Sequence, residues 1–264
     1  MNQVRVGKYQ LHFGEEPCIS GTRGSGTVFF SGCNLGCVFC QNEPISRHGV
    51  GTQYTVKELA AVFEDLESKG AHNINLVTGY PWTDRIIEAF KIYRPSVPVI
   101  WNSSGYEKTD QLKKLEEYVD VYLPDLKYAQ PELAEKFSHH SDYPETAMEA
   151  ITEMLRQKGN PEFGEDGMIK KGVIIRHLVL PLHLKNTAAV LDMISENFPD
   201  AWVSFMLQYT PVVKDVQYDE LKRTLTKREC EKALRLLEES GIVNGYVQDS
   251  AAATTELIPK FEEK

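Results

Sequence analysis

Hydrophobic and polar positions along the chain follow two alternating periods. Short apolar runs, several rich in β-branched residues, predict strands at residues 27–31 (TVFFS), 73–77 (NINLV), 97–101, 119–123, 172–180 (GVIIRHLVL), 202–208 and 242–247. Longer stretches between them carry apolar residues three and four apart. In residues 56–69 these are Leu59, Val62, Phe63 and Leu66, with Thr55 placed as N-cap and Gly70 as the stop. The same pattern predicts helices at residues 83–93, 109–118, 132–137, 145–157, 187–197 and 227–239. Strand followed by helix, about six times over, predicts an α/β fold with a parallel sheet and right-handed crossovers. Periodicity alone leaves open whether that sheet closes into a barrel.

In such folds, chemistry collects at the C-terminal ends of the strands. Those ends read GCNLGCVFCQN, TGYPW, NSSGY, PDLKY, PLH and QYTP. Nearly every one carries a group capable of binding or proton transfer, as a barrel-type enzyme requires.

Composition narrows the class. The 264 residues are 42% hydrophobic and 25% charged, which is ordinary for a globular protein and argues against disorder, collagen-like repeats and disulfide scaffolds. A net charge of −9 argues against broad nucleic-acid binding. The first thirteen residues lack the apolar core of a signal peptide, and the run from Leu178 to Leu184 is broken by Pro181 and His183. No stretch approaches the roughly 20 residues of a membrane helix. A cytoplasmic protein with reduced thiols and no membrane partner is expected. A single domain is expected over 1–264: an N-terminal extension at 1–26, a core at about 27–210, and a C-terminal helix and tail at 211–264.

Three of the five cysteines, Cys33, Cys37 and Cys40, form C-x3-C-x2-C. One helical face could carry them as core residues, but Gly32, Asn34 and Gly36 disfavour a helix there. A zinc site would need a fourth ligand, with His48 the nearest candidate. A trio of catalytic thiols lacks a neighbouring base. The remaining reading is an iron–sulfur cluster in a glycine-containing loop. Three thiolates on a [4Fe–4S] cube leave one iron open to a substrate or cofactor. A cluster- or zinc-bearing binding module without turnover is the rival from another class. Cys18 and Cys230 fit no second cluster.

The cysteine motif, with Phe39 just before its last member, resembles the cluster loop of the radical S-adenosylmethionine (SAM) superfamily. FFSGCNLGCVFCQN is similar to the loop of pyruvate formate-lyase activating enzymes. EEPCISGTRGSGTVFFSGCN, NINLVT, NSSGYE, DVYLPDLKY and IIRHLVLP resemble a branch related to those activases. The resemblance implies a partial (β/α)6 TIM-like barrel. It implies a [4Fe–4S] cluster on Cys33, Cys37 and Cys40, with SAM as the second cofactor. SAM would be cleaved reductively to a 5′-deoxyadenosyl radical that takes hydrogen from a substrate, for activases a glycine of a glycyl-radical enzyme. A small molecule or peptide is the alternative substrate. The implied electron donor is a protein such as flavodoxin or ferredoxin.

Residue by residue, the resemblance places Asp125 on the ribose hydroxyls and Lys127 on the methionine carboxylate. An acceptor suits a diol and an ammonium suits a carboxylate; a strand-end salt bridge between the two is the structural alternative. Phe39, Asn102, Ser103, Arg176 and Gln208 fall at further cofactor positions. Asn102 and Ser103 stand where activases carry an Asp-Thr pair, so any cation site there is weakened. Arg176 could equally serve a structural ion pair. Activases carry G-G-E after the second strand; here Thr78-Gly79-Tyr80 offers no carboxylate, leaving Thr78 or carbonyls near Gly79 to accept the amine. Trp82 is expected to open the next helix, and His139 and His140 to be solvated.

Overall fold

The computed structural model describes residues 3–248 together with Pro259 and Phe261. The chain begins with β1 (Gln3–His12), α1 (Pro17–Ser20) and β2 (Ser25–Phe30), and the cysteine loop then leads to α2 (Glu43–Ser46) and β3 (Thr52–Thr55). Next come α3 (Val56–Ser68), β4 (Ile74–Val77), α4 (Thr83–Ile92), β5 (Val99–Ser103), α5 (Thr109–Leu115) and β6 (Val121–Pro124). The second half holds α6 (Pro131–Ser138), α7 (Tyr143–Lys158), β7 (Glu162–Phe163), β8 (Ile169–Leu178), α8 (Leu184–Asn197), β9 (Trp202–Met206), α9 (Lys227–Glu239) and β10 (Gly245–Gln248).

The main sheet runs β10-β9-β8-β6-β5-β4-β2-β1-β3. Strands β2 through β10 along this path are parallel, and the order ends on β10 and β3 without returning. Over the described residues this is a partial barrel of six strand–helix units followed by a seventh parallel strand. Its helices start where their sequences supply caps. At α3 and α9, Thr55 with Glu58 and Thr226 with Glu229 form reciprocal capping boxes.

The N-terminal segment does more than precede the barrel. β1 pairs antiparallel with both β2 and β3 and widens the sheet. Val4 and Val6 are buried while Gln3 is exposed, the alternation of a half-buried strand. At Gly7 the register slips, and a Cβ there would come within 2.4 Å of the Ile45 side chain. Between β1 and β2, α1 plugs the bottom of the barrel. Its Cys18 and Ile19 pack with Ile100, Val121, Leu123, Ile169 and Ile174 in a small apolar cluster.

Strand alternation decides which side chains face the lumen. On β8, His177 points outward, where Nδ1 lies 2.7 Å from the Leu126 carbonyl and Nε2 lies 3.1 Å from the Thr187 hydroxyl. Burial lowers its pKa to about 4, so the ring is neutral. Arg176, its neighbour, points inward. No helix among the described residues is long and apolar enough to cross a membrane.

Candidate active site

The cysteine loop leaves β2 at the C-terminal rim. Gly32 and Gly36 hold φ of 93° and 67°, a region that side-chain-bearing residues disfavour. The loop is tied down from all sides. Gly32 N–H donates to the Ile45 carbonyl (2.9 Å) and Val38 N–H to that of Phe137 (2.8 Å). Arg47 donates to the Gly36 carbonyl and the Trp82 indole N–H to that of Ser31, each at 2.8 Å. Asn34 donates to the Tyr106 carbonyl. Trp82 sits at the start of α4, as expected. Phe39 is 6% exposed, edge-on to Phe137 and Tyr209. Its ring anchors the loop from behind.

Each of the three sulfurs receives a hydrogen bond. Leu35 N–H reaches Cys33 Sγ at 3.4 Å, the Ser138 hydroxyl reaches Cys37 Sγ at 3.2 Å, and the Ser46 hydroxyl reaches Cys40 Sγ at 3.3 Å. Such donors suit anionic sulfur. Burial pushes the Cys37 thiol up to about 12 and raises Cys40 as well. Iron ligation removes those protons outright. Among the described residues no three His, Cys, Asp or Glu side chains gather for one metal ion. His48 is instead 2.7 Å from Glu43 and largely exposed. The donor set fits a cluster whose three thiolates each meet a different iron.

Around the rim, the β4 end turns sharply. Thr78 has φ of 59°, a left-handed conformation costly for a β-branched residue. Its N–H donates to the Asn102 carbonyl at 3.0 Å. A Cβ at Gly79 would come within 2.8 Å of the Trp101 ring, so only glycine lets the chain pass there. Asn102 and Ser103 lie at the end of β5, on opposite faces. Asn102 turns into the lumen, whereas the buried Ser103 hydroxyl accepts from Gly105 N–H at 2.9 Å on the helix side. Gln208, just past β9, donates to Gln248 and keeps a buried Oε1 without a partner among the described residues. An orphaned acceptor at this strand end fits an adenosine amine.

Asp125 and Lys127 follow β6 and pair with each other. Burial would lower the Lys127 pKa, but Asp125 outweighs it and the ammonium is held well above its ordinary range. Cys37 contributes to that shift, and the Lys127 charge in turn works against the rise of the Cys37 thiol. Two side chains that the sequence analysis did not single out shape this turn. The Tyr143 hydroxyl accepts from Lys127 N–H (3.0 Å) and faces the carbonyls of Asp125 (2.8 Å) and Ser104 (2.9 Å). The Asn186 amide donates to the Lys127 carbonyl (2.9 Å) and accepts from Ala129 N–H (3.0 Å). Tyr143→Phe should leave Lys127 N–H unsatisfied, at a cost of about 1–3 kcal/mol. Thermal melts should show that loss, and SAM titration a several-fold weaker affinity, while the cluster absorbance stays.

Arg176 is ion-paired rather than free. Its Nε donates to Glu16 (2.9 Å), one terminal nitrogen to Glu15 (2.6 Å) and the other to Asn102 Oδ1 (3.1 Å). The remaining sequence candidates lie elsewhere. Cys18 belongs to the barrel floor and Cys230 to α9. His139 is exposed, and His140 packs against the Tyr106 ring.

A buried carboxylate behind the rim, Glu107, also escaped the sequence analysis. It is 3% exposed and accepts from the Trp101 indole N–H at 3.0 Å. Burial raises its pKa to about 7 against hydrogen bonds from Ser103 and Trp101 that lower it. The folded chain therefore holds this proton where the unfolded chain has lost it. The associated stability is full below about 4.5 and is lost as pH rises through about 7. Melting temperature should fall across that window in the wild type, and Glu107→Gln should flatten the fall.

Comparison with known proteins adds to this geometry. The profile described as the Radical SAM superfamily matches residues 27–181, more than half of the chain. An uncharacterized protein of Methanocaldococcus jannaschii is 35% identical over 240 residues, covering 86% of this chain; the match spans 65% of that relative's length. Among solved structures, methylornithine synthase superposes with a TM-score of 0.54 at 17% identity, over 81% of this chain and 61% of that one. HydG, a maturase of the [FeFe]-hydrogenase, gives a TM-score of 0.54 at 16% identity, over 85% of this chain and 52% of its own. At these identities the two structures bear on the fold alone.

Proposed function

The chain belongs to the Radical SAM superfamily, and from that premise we propose that it cleaves SAM reductively and removes a hydrogen atom from a small polar molecule. Members of the superfamily use a [4Fe–4S] cluster and SAM. When bound, the cluster would supply the single electron for reductive cleavage of SAM to methionine and a 5′-deoxyadenosyl radical able to take hydrogen from a substrate. Cys33, Cys37 and Cys40 would hold the cluster, and the donors from Leu35, Ser138 and Ser46 would offset its negative charge. Lys127, now paired with Asp125, would meet the methionine carboxylate, and Asp125 the ribose hydroxyls. Carbonyls at the strained Thr78–Gly79 turn accept the amine. Gln208 Oε1 offers an acceptor to the adenosine. The electron comes from a cytoplasmic donor such as flavodoxin or ferredoxin.

The observation that carries this reading is the loop in which all three sulfurs receive hydrogen bonds. Anaerobic reconstitution tests it. The protein should turn brown and, with dithionite, convert SAM to methionine and 5′-deoxyadenosine. A fully loaded cluster that leaves SAM intact would overturn it. A second reading, supported by the likeness of the loop to activases, is hydrogen abstraction from a glycine of a glycyl-radical enzyme. The charged side chains above the apolar floor, Arg176 with Glu15 and Glu16, favour the small molecule, because a backbone glycine carries no charge to meet them. A glycyl-radical doublet in electron paramagnetic resonance, on co-expression with a partner, would reverse that preference.

A further inference from the structure

Below the rim, the inward-facing tier of the barrel is charged. The apolar floor is formed by Ile100, Ile174 and their neighbours against α1. One inward position nearer the rim stand Asn102 on β5 and Arg176 on β8. Glu15 and Glu16, from the segment leading into α1, reach up to meet them. Their side chains are 8% and 0% exposed, and that of Arg176 is 11%. Burying such a group costs stability unless it is fully paired, so the pairing is informative.

The pairing is incomplete in a consistent direction. Two carboxylates face one guanidinium, which leaves one negative charge in excess. Glu15 Oε1 accepts from the amides of Asn75 (3.2 Å) and Asn102 (3.4 Å). That contact fixes which way the Asn75 amide points, and its Oδ1 is then left buried with no donor among the described residues. Asn75 itself is 0% exposed. His12 lies close enough to feel both Glu15 and Arg176, and burial lowers its pKa, so it brings no compensating charge at neutral pH. What the tier lacks is a positive charge that also donates N–H.

We propose that this tier is a recognition site for the cationic nitrogen, an alkylammonium or amidinium, of a small-molecule substrate, with Glu15 and Asn75 Oδ1 as its direct contacts. This rests on the lumen being the substrate chamber of the enzyme described above. Depth separates the site from the cofactor positions. Asn75 precedes Thr78 by three residues, which is about 10 Å along a strand. Asn102 and Arg176 reach the strand ends, Arg176 in register with Asp125, whereas Asn75 stands one inward position deeper, level with Ile100.

The test uses the reconstituted holoprotein saturated with SAM and reads binding rather than turnover. Putrescine, L-lysine and agmatine should raise the melting temperature in a saturable way, while 1,4-butanediol and succinate should not. Asn75→Ala leaves every partner of Arg176 in place and should weaken binding of the cations about tenfold or more. Glu15→Gln should do the same; if it fails to fold, Asn75→Ala still decides. Equal shifts for cations and diol, or no shift for any cation, would overturn the proposal. So would binding seen only without SAM, which would give the tier to the cofactor's own amine. A protein that binds the cations but never cleaves SAM would keep this site and sink the radical reading instead.

Discussion

Alanine at any one of Cys33, Cys37 or Cys40 is expected to leave a colourless protein with background conversion of SAM. A cube held by three thiolates has no spare protein ligand, so losing one leaves two irons open and the cluster labile. The measurement is iron and sulfide content with visible absorbance, followed by 5′-deoxyadenosine formation under dithionite. Serine at Cys18 or Cys230 should leave both unchanged, since neither lies in the loop. A cysteine variant of the loop that still cleaves SAM would refute the ligand assignment. The hydroxyl donors give a finer control. Ser46→Ala and Ser138→Ala each remove one hydrogen bond to sulfur. Such bonds favour the more negative, reduced cluster, so both variants should load normally and show a lower reduction potential.

Arg176→Leu is expected to be the most destabilising single change in the lumen. It strips the guanidinium from Glu15 (2.6 Å) and Glu16 (2.9 Å) and leaves both carboxylates buried without a counter-charge. Breaking one side of a buried ion pair costs about 3–5 kcal/mol. Urea unfolding should show a loss of stability of that size, carried by a lower midpoint with little change in slope. Adding Glu15→Gln and Glu16→Gln to the leucine variant should recover much of the loss, because the penalty lies in the stranded charges. A leucine variant as stable as the wild type would show that the three groups are not buried together.

The strand–helix rhythm was legible because long amphipathic segments repeat strongly. The helix expected at residues 227–239 is α9, Lys227–Glu239. The cysteine loop was legible from spacing alone. β1 was not, because Gly7 and the register slip beside it interrupt the alternation that begins at Val4 and Val6. The sequence could show that Arg176 needs a partner but not which one, since Glu16 and Glu15 lie 160 and 161 residues away. Ser46, Ser138, Tyr143 and Asn186 carry no local signal. Their roles exist only once α2, α6, α7 and α8 are brought to the rim. Ser103 shows the reverse limit: motif position placed it beside Asn102, and the pleat turned it away.

The ties on the cysteine loop also bear on how the protein is assembled. Its anchors come from the loop after β5, the start of α4, α6, and α2 with the turn that follows it, through protein–protein hydrogen bonds and the packing of Phe39. In small zinc domains, metal binding and folding are one event, and chelation unfolds the chain. Here the polypeptide can prepare the cradle before any iron arrives. Maturation then becomes delivery of a cluster to a finished receptacle, and a chain stripped by oxygen can be refilled without being refolded.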